Sequence, residues 1–269
     1  MSGPNADSGH VKNLRMSAGR MSWALVVAGV AAATALTLVG PASTVVWENP
    51  QLLFTLVTVT AAACVIASTV VVALADRRDM AEVGLLGTAL MATSVFPLVH
   101  GLTTPGVLYG DNEAFHTSTF LALPVAVAVA TPLFRPSSGF GRWAARHWRD
   151  WTLLSLLGVF VIAATIVFIP DLATVPAPHS PATIAMSVAV LVAMGRLSLR
   201  QLRLYELGGS TANLVASLAI AMLAATALLP TVDTTYSAGF WWLHVAGALG
   251  VLVTCAALVV SKRMSKSTQ

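Results

Sequence analysis

Long apolar segments separated by short polar ones run along almost the whole chain. Apolar and polar residues do not alternate within these segments, which excludes the strands of a membrane barrel, each only about ten residues long. Each segment is about long enough to cross the hydrocarbon core of a bilayer as a helix. The pattern therefore predicts an all-α, polytopic membrane bundle of eight transmembrane helices. The eight segments lie at about 23–39, 51–75, 82–103, 114–134, 151–169, 182–200, 210–229 and 238–260.

Composition supports this interpretation and sets the domain boundaries. The chain has 269 residues, of which 57% are hydrophobic and 10% are charged. Soluble domains carry about 25% charged residues, so a soluble globular protein is excluded. We expect one transmembrane domain over 21–261, preceded by a disordered cytoplasmic tail over 1–20 and followed by a short basic cytoplasmic tail over 262–269.

The basic residues predict the orientation of the bundle. All fifteen Lys and Arg flank alternate ends of the predicted helices, and the loops near 41–50, 104–113, 170–181 and 230–237 contain none. Basic loops remain in the cytoplasm, so we expect both termini inside, in the inner (plasma) membrane of a bacterium. The positive net charge is explained by this topology, and no nucleic-acid partner is expected. The basic residues are Lys12, Arg15, Arg20, Arg77, Arg78, Arg135, Arg142, Arg146, Arg149, Arg196, Arg200, Arg203, Lys262, Arg263 and Lys266.

One cytoplasmic loop combines arginine with tryptophan. Arg142, Arg146 and Arg149 would share one face of a helix, and Trp143 and Trp148 lie beside them. This pattern is typical of a surface that docks anionic lipid or a partner protein. An ordinary positive-inside loop with a tryptophan anchor explains it as well.

Three histidines lie near the outer ends of predicted helices. At about 1.5 Å per residue, His100, His116 and His244 lie about 5, 4 and 10 Å below the outer surface. Glu113 precedes His116 by one helical turn. Ionisable residues inside membrane spans are costly and therefore suggest function. Imidazoles with a carboxylate suit Zn, Cu or Fe, and two imidazoles can hold haem. A pocket for a non-metal ligand and a purely structural role are the alternatives.

The outer loop between the third and fourth segments adds further polar candidates. Tyr109 and Asp111 lie in this loop, close in sequence to the histidines. Pro97 and Pro124 each remove a backbone donor, so kinks at these positions are expected to open space beside the histidine layer. The predicted ligand-binding set is His100, His116, His244, Glu113, Asp111 and Tyr109, with the three histidines as the metal ligands. Cys64 and Cys255 are expected to be small buried side chains.

Two short stretches resemble a known class of proteins. Residues 100–108, His-Gly-Leu-Thr-Thr-Pro-Gly-Val-Leu, and residues 240–244, Phe-Trp-Trp-Leu-His, resemble polytopic membrane regions of bacterial, particularly actinobacterial, signalling proteins. Those regions precede adenylate cyclase, diguanylate cyclase or histidine kinase domains. The resemblance implies an outward-facing sensory or ligand-binding module that contains His100 and His244. Because no catalytic domain follows here, it also implies a separate cytoplasmic or membrane signalling partner.

An enzyme and a transporter are the two alternative functions. A membrane metalloenzyme or haem enzyme requires the histidines to converge; haem A synthase is similar in its eight helices and outer histidines, but here the second and sixth segments lack histidine and no loop cysteine pair exists. A small-molecule transporter is disfavoured, because ionisable groups are nearly absent from the middle of the predicted membrane. Sensing or ligand binding, without catalysis, is the expected function.

Overall fold

The computed structural model describes residues 5–110, 112–169, 175–232 and 234–264, and its regular structure over these ranges is entirely helical. The all-α prediction is therefore confirmed. Two 3₁₀ helices, Pro41–Thr44 and Thr226–Thr231, occur beside the α-helices. The α-helices are α1 (Asn5–Leu38), α2 (Pro50–Arg77), α3 (Ala81–Leu102), α4 (Glu113–Val129), α5 (Thr131–Phe134), α6 (Gly139–Arg146), α7 (Trp148–Phe168), α8 (Pro181–Gly208), α9 (Thr211–Ala225) and α10 (Ala238–Met264).

Seven helical stretches in the described ranges are long and apolar enough to cross a membrane, and α4 is a shorter apolar helix of 17 residues. The predicted fourth segment, 114–134, is divided between α4 and α5 instead of forming one helix. Pro132 explains the break, because its ring would clash with the carbonyl four residues earlier in a continuous helix. The segment predicted at 210–229 likewise changes from α9 to a 3₁₀ helix that contains Pro230.

The first helix begins earlier than the sequence predicted. Residues 1–20 were expected to be a disordered tail, but α1 begins at Asn5, while residues 1–4 lie outside the described ranges. At the end of this segment, α1 contacts α8. The Arg20 side chain donates to Glu206 at 2.6 Å, and Gly19 leaves room for the Tyr205 ring. The helix thus includes a segment whose polar composition suggested disorder.

The central helix of the bundle is α3. In its most apolar 18-residue window 78% of the residues are buried, whereas only 6% are buried in the corresponding window of α1. Small residues allow the helices to approach closely, as is common in membrane bundles. Gly87 faces Val71 of α2, and Gly250 of α10 faces Leu223 of α9. The outer helices leave large apolar side chains exposed, as expected for contact with lipid.

The two ends of the bundle differ in chemistry. At one end, ion pairs join different helices: Arg20 to Glu206, Arg149 to Asp76, and Arg200 to Glu82. The opposite end has aromatic contacts and an isolated backbone bridge between Val46 and Ser237. The Cα positions of His100 and His244 lie toward this second end, because α3 ends at Leu102 and α10 begins at Ala238.

The arginine-tryptophan loop is split between two helices, α6 and α7, whereas the sequence predicted one helical face. His147 separates α6 from α7, so Arg149 lies on a different helix from Arg142 and Arg146, and the predicted common face is wrong for Arg149. Trp148 is also buried rather than exposed, and its ring packs on Gly84 of α3.

The arginine of α7 is engaged with carboxylates. Arg149 forms ion pairs with Asp76 and Asp79 and lies over the Trp148 ring. On α6, Trp143 is exposed and stacks against Phe140 at a centroid distance of 6.0 Å.

Candidate functional site

A cavity of about 270 Å³ lies among α2, α3, α4, α8, α10 and the 3₁₀ helix Thr226–Thr231. Its walls are mainly apolar. Pro97 and Pro124 both line it, as expected from the space that two helix kinks would open. The volume is close to the lower end of the range for small-molecule pockets, roughly 300–1,000 Å³. The cavity can therefore accept a small molecule of mainly apolar character.

His100 lies in the last turn of α3 and lines this cavity. Its side chain is buried, with 2% of the residue exposed. Its Nδ1 atom lies 2.8 Å from the carbonyl oxygen of Phe115 and 2.8 Å from the hydroxyl oxygen of Thr119, which can itself donate to the same carbonyl. A carbonyl oxygen only accepts hydrogen bonds, so Nδ1 donates, and in the neutral ring Nε2 is left as an acceptor. That Nε2 atom is buried and has no hydrogen-bond partner.

His244 lies on α10 and faces the same cavity. Its Nδ1 donates to the carbonyl oxygen of Phe240, one turn earlier, at 2.8 Å. The two imidazole rings stack with their centroids 5.2 Å apart. Each imidazole also contacts a phenylalanine ring: the centroids of His100 and Phe115 are 3.9 Å apart, and those of His244 and Phe240 are 4.4 Å apart. Because each Nδ1 lies against a carbonyl oxygen, which can only accept, we assign the proton of each neutral ring to Nδ1.

The structure does not bring the other predicted site residues to the cavity. His116 is exposed and contacts the edge of the Phe115 ring. Glu113 and Tyr109 are exposed as well, and Asp111 lies outside the described residues. Consecutive residues of a helix point about 100° apart. Because Phe115 points to His100, its neighbour His116 points away.

The predicted three-histidine metal site is not assembled. Across the described residues, no group of three or more His, Cys, Asp or Glu side chains is arranged to hold a metal ion. A structural zinc site takes four protein ligands, and the imidazole pair supplies two. Haem held by two histidines needs them on opposite sides of one iron, whereas these rings are stacked on each other. The observed arrangement fits a small ligand better than either group.

Ser187 of α8 is a cavity-lining residue that the sequence did not single out. It is 3% exposed, and its Oγ atom has no hydrogen-bond partner. The other cavity hydroxyls with recorded bonds differ, since each donates to a carbonyl three or four residues earlier in the chain, and that of Thr119 also contacts His100. These are Thr60, Thr93, Ser94, Thr119 and Thr226. No sequence signal distinguished Ser187 from such serines, because the difference depends on side-chain packing.

The cysteines are buried, as predicted, and lie close to this region. Cys64 lines the cavity, and its Sγ lies 3.8 Å from the carbonyl oxygen of Ala248. Cys255 contacts Ser68, one turn further along α2, at 3.6 Å. These contacts join α2 to α10 below the histidine pair.

No protein-family model, curated protein or solved structure matches this chain. The resemblance of residues 100–108 and 240–244 to bacterial sensory membrane regions therefore stays a prediction.

Proposed function

We propose that this chain is an integral membrane protein that binds a small, mainly apolar molecule carrying a hydrogen-bond donor, and that its role is sensory or ligand-binding rather than catalytic. The observation that carries the proposal is the unpartnered Nε2 of His100 on the wall of the cavity. A buried acceptor without a partner costs about 1–3 kcal/mol, which a ligand donor would recover. The apolar walls would bind the rest of the ligand.

The bilayer is the proposed source of the ligand. Three side chains that line the cavity are also more than a third exposed on the lipid-facing side of α2 and α10: Leu56 at 36%, Val245 at 43% and Leu249 at 44%. A cavity bounded by such residues is open to the bilayer between the helices, and not only to water. The ligand would then be a molecule that partitions into the membrane.

The proposed topology has eight spans with both termini in the cytoplasm. In this arrangement α4 and α5 together form the eighth span, since they continue the same apolar segment with one interruption. The ion pairs support a common inner end for α1, α2, α3, α7 and α8, because each joins an arginine of one helix to a carboxylate of another. The histidine pair would then lie in the outer half of the bilayer.

A sensory role requires an output at the inner end. Helices α3 and α8 both line the cavity. Away from the cavity, the ion pair of Arg200 with Glu82, at 2.7 Å, joins the same two helices. A ligand between these helices would alter their spacing, and a separate cytoplasmic or membrane signalling partner would detect the change there. The sequence resemblance to membrane sensory regions supports this direction of signalling.

The test uses the full chain in lipid nanodiscs and 2-naphthol as the probe, an apolar molecule with one hydrogen-bond donor. Calorimetric titration compares the wild type with His100→Phe, which keeps a planar ring but removes the acceptor. His116→Phe is the matched control on an exposed histidine. We expect about two- to tenfold weaker binding for His100→Phe only, since one hydrogen bond contributes about 0.5–1.5 kcal/mol. Equal binding by all three proteins, or equal binding of 2-methylnaphthalene, would refute the proposal.

A metal or haem protein is the alternative that the sequence left open; among the described residues the cavity wall supplies two stacked imidazoles and no third metal-binding side chain grouped with them. An absorption spectrum and elemental analysis of protein purified in mild detergent would test it. A Soret band or stoichiometric Zn, Cu or Fe that is lost in the His100→Phe variant would favour this candidate over binding of an organic ligand.

A further inference from the structure

The hydroxyl of Ser187 differs from ordinary serines in membrane helices. Such serines usually donate to the carbonyl four residues earlier, as Ser68 and Ser94 do in this structure. Ser187 does not, although it is 3% exposed and lies within the regular helix α8. Its Oγ is one of the two unpartnered buried atoms among the described cavity-lining residues, and the other is Nε2 of His100.

These two atoms lie on different helices, and apolar side chains line the cavity with them. His100 belongs to α3 and Ser187 to α8. Leu123, Leu223 and Leu243 are among the residues that line the cavity with them. We propose that Ser187 is the second polar contact of the ligand, so that the ligand carries two hydrogen-bonding groups on one apolar body. This inference rests on the proposed function and specifies the class of ligand.

The roles of the two ends differ. Nε2 of His100 accepts, so the ligand presents a donor there. The serine hydroxyl both donates and accepts, so the second group of the ligand is a hydroxyl, an amine or a carbonyl oxygen. Ordered water is a weaker explanation for the Ser187 end, because a buried water makes about three hydrogen bonds. Three other hydroxyls of the cavity, those of Thr60, Thr93 and Thr226, already donate to backbone carbonyls, so they have no hydrogen left to donate to such a water.

The experiment compares 2-naphthol, with one donor, and naphthalene-2,6-diol, with one at each end, on the full chain in nanodiscs. Ser187→Ala removes the proposed contact. Ser94→Ala is the matched control, since it removes a hydroxyl from the same cavity that is bonded to Leu90. We expect the diol to bind the wild type about three- to tenfold more tightly than 2-naphthol. Ser187→Ala should abolish this advantage, and Ser94→Ala should retain it.

The outcomes separate the inference from the proposed function. If 2-naphthol binding depends on His100 but Ser187→Ala leaves the diol advantage unchanged, the inference is overturned and the proposed function stands. An equal loss in Ser94→Ala and Ser187→Ala overturns it as well. If neither probe binds in a His100-dependent manner, the proposed function fails and the inference fails with it. Ser187→Thr, which retains a hydroxyl, should restore the advantage, and thermal melting of each variant checks that it is folded.

Discussion

Replacing Gly101 by alanine should separate α2 from α3 beside the histidine pair. A Cβ atom at this position would lie 2.5 Å from Oγ1 and 2.9 Å from the backbone nitrogen of Thr58 on α2. Carbon atoms in ordinary contact are about 3.5–4.0 Å apart. The hydroxyl can rotate, but the backbone nitrogen cannot, so the two helices must move apart by about 0.6–1 Å.

The expected cost follows from this displacement. Overpacking of a well-packed interior destabilises proteins by about 1–3 kcal/mol, or about 5- to 150-fold in the ratio of folded to unfolded protein. Gly158→Ala is the matched control, because a Cβ atom at Gly158 of α7 meets nothing within 4 Å. That control should be neutral or stabilised by up to about 1 kcal/mol through the higher helix propensity of alanine.

Unfolding in mixed micelles with increasing SDS, followed by tryptophan fluorescence, would measure both variants. The affinity for 2-naphthol should also fall in Gly101→Ala, because the adjacent His100 moves with α3. If Gly101→Ala is as stable as Gly158→Ala, then α2 and α3 do not approach as closely as the structure shows, and the reasoning is refuted.

Three further predictions concern topology and packing. A cysteine at Gly110 should react with an impermeant thiol reagent from outside the cell and one at Gly139 should not, since both positions have open space; the reverse would invert the proposed orientation. Ser198→Ala should destabilise the protein by about 1–2 kcal/mol in the SDS assay, because this hydroxyl joins α8 to α9 and accepts from an indole of α1; an unchanged midpoint would contradict that role. Arg149→Ala should cost under about 1 kcal/mol by thermal melting, because its ion pairs are exposed; a larger loss would mean that they are desolvated.

Much of the fold was predictable because the bilayer restricts backbone conformation. A long apolar segment in lipid has to satisfy its own backbone groups, so segments such as 82–103 and 238–260 had to be helices. The errors arose where local and tertiary effects compete. Pro132 interrupts the fourth segment, and contacts with α8 accompany a first helix that begins at Asn5.

The candidate site was predictable only in part. Histidine is rare enough in membrane spans that His100 and His244 stood out, and the structure stacks them. His116 lies at a similar depth but points away, because helix phase rather than depth determines which side chains meet. For that reason the described structure does not bring the three predicted metal ligands together.

The sequence by itself determined that this chain is helical and rich in segments long and apolar enough to span a membrane, since apolar length and charge placement are local properties of the chain. The tertiary structure alone decided which atoms lack partners. Ser187 and Ser94 have the same side chain in similar helices, yet Ser94 bonds to Leu90 and Ser187 does not. Such a difference depends on the packing of several helices around one cavity, and no pattern along one helix encodes it.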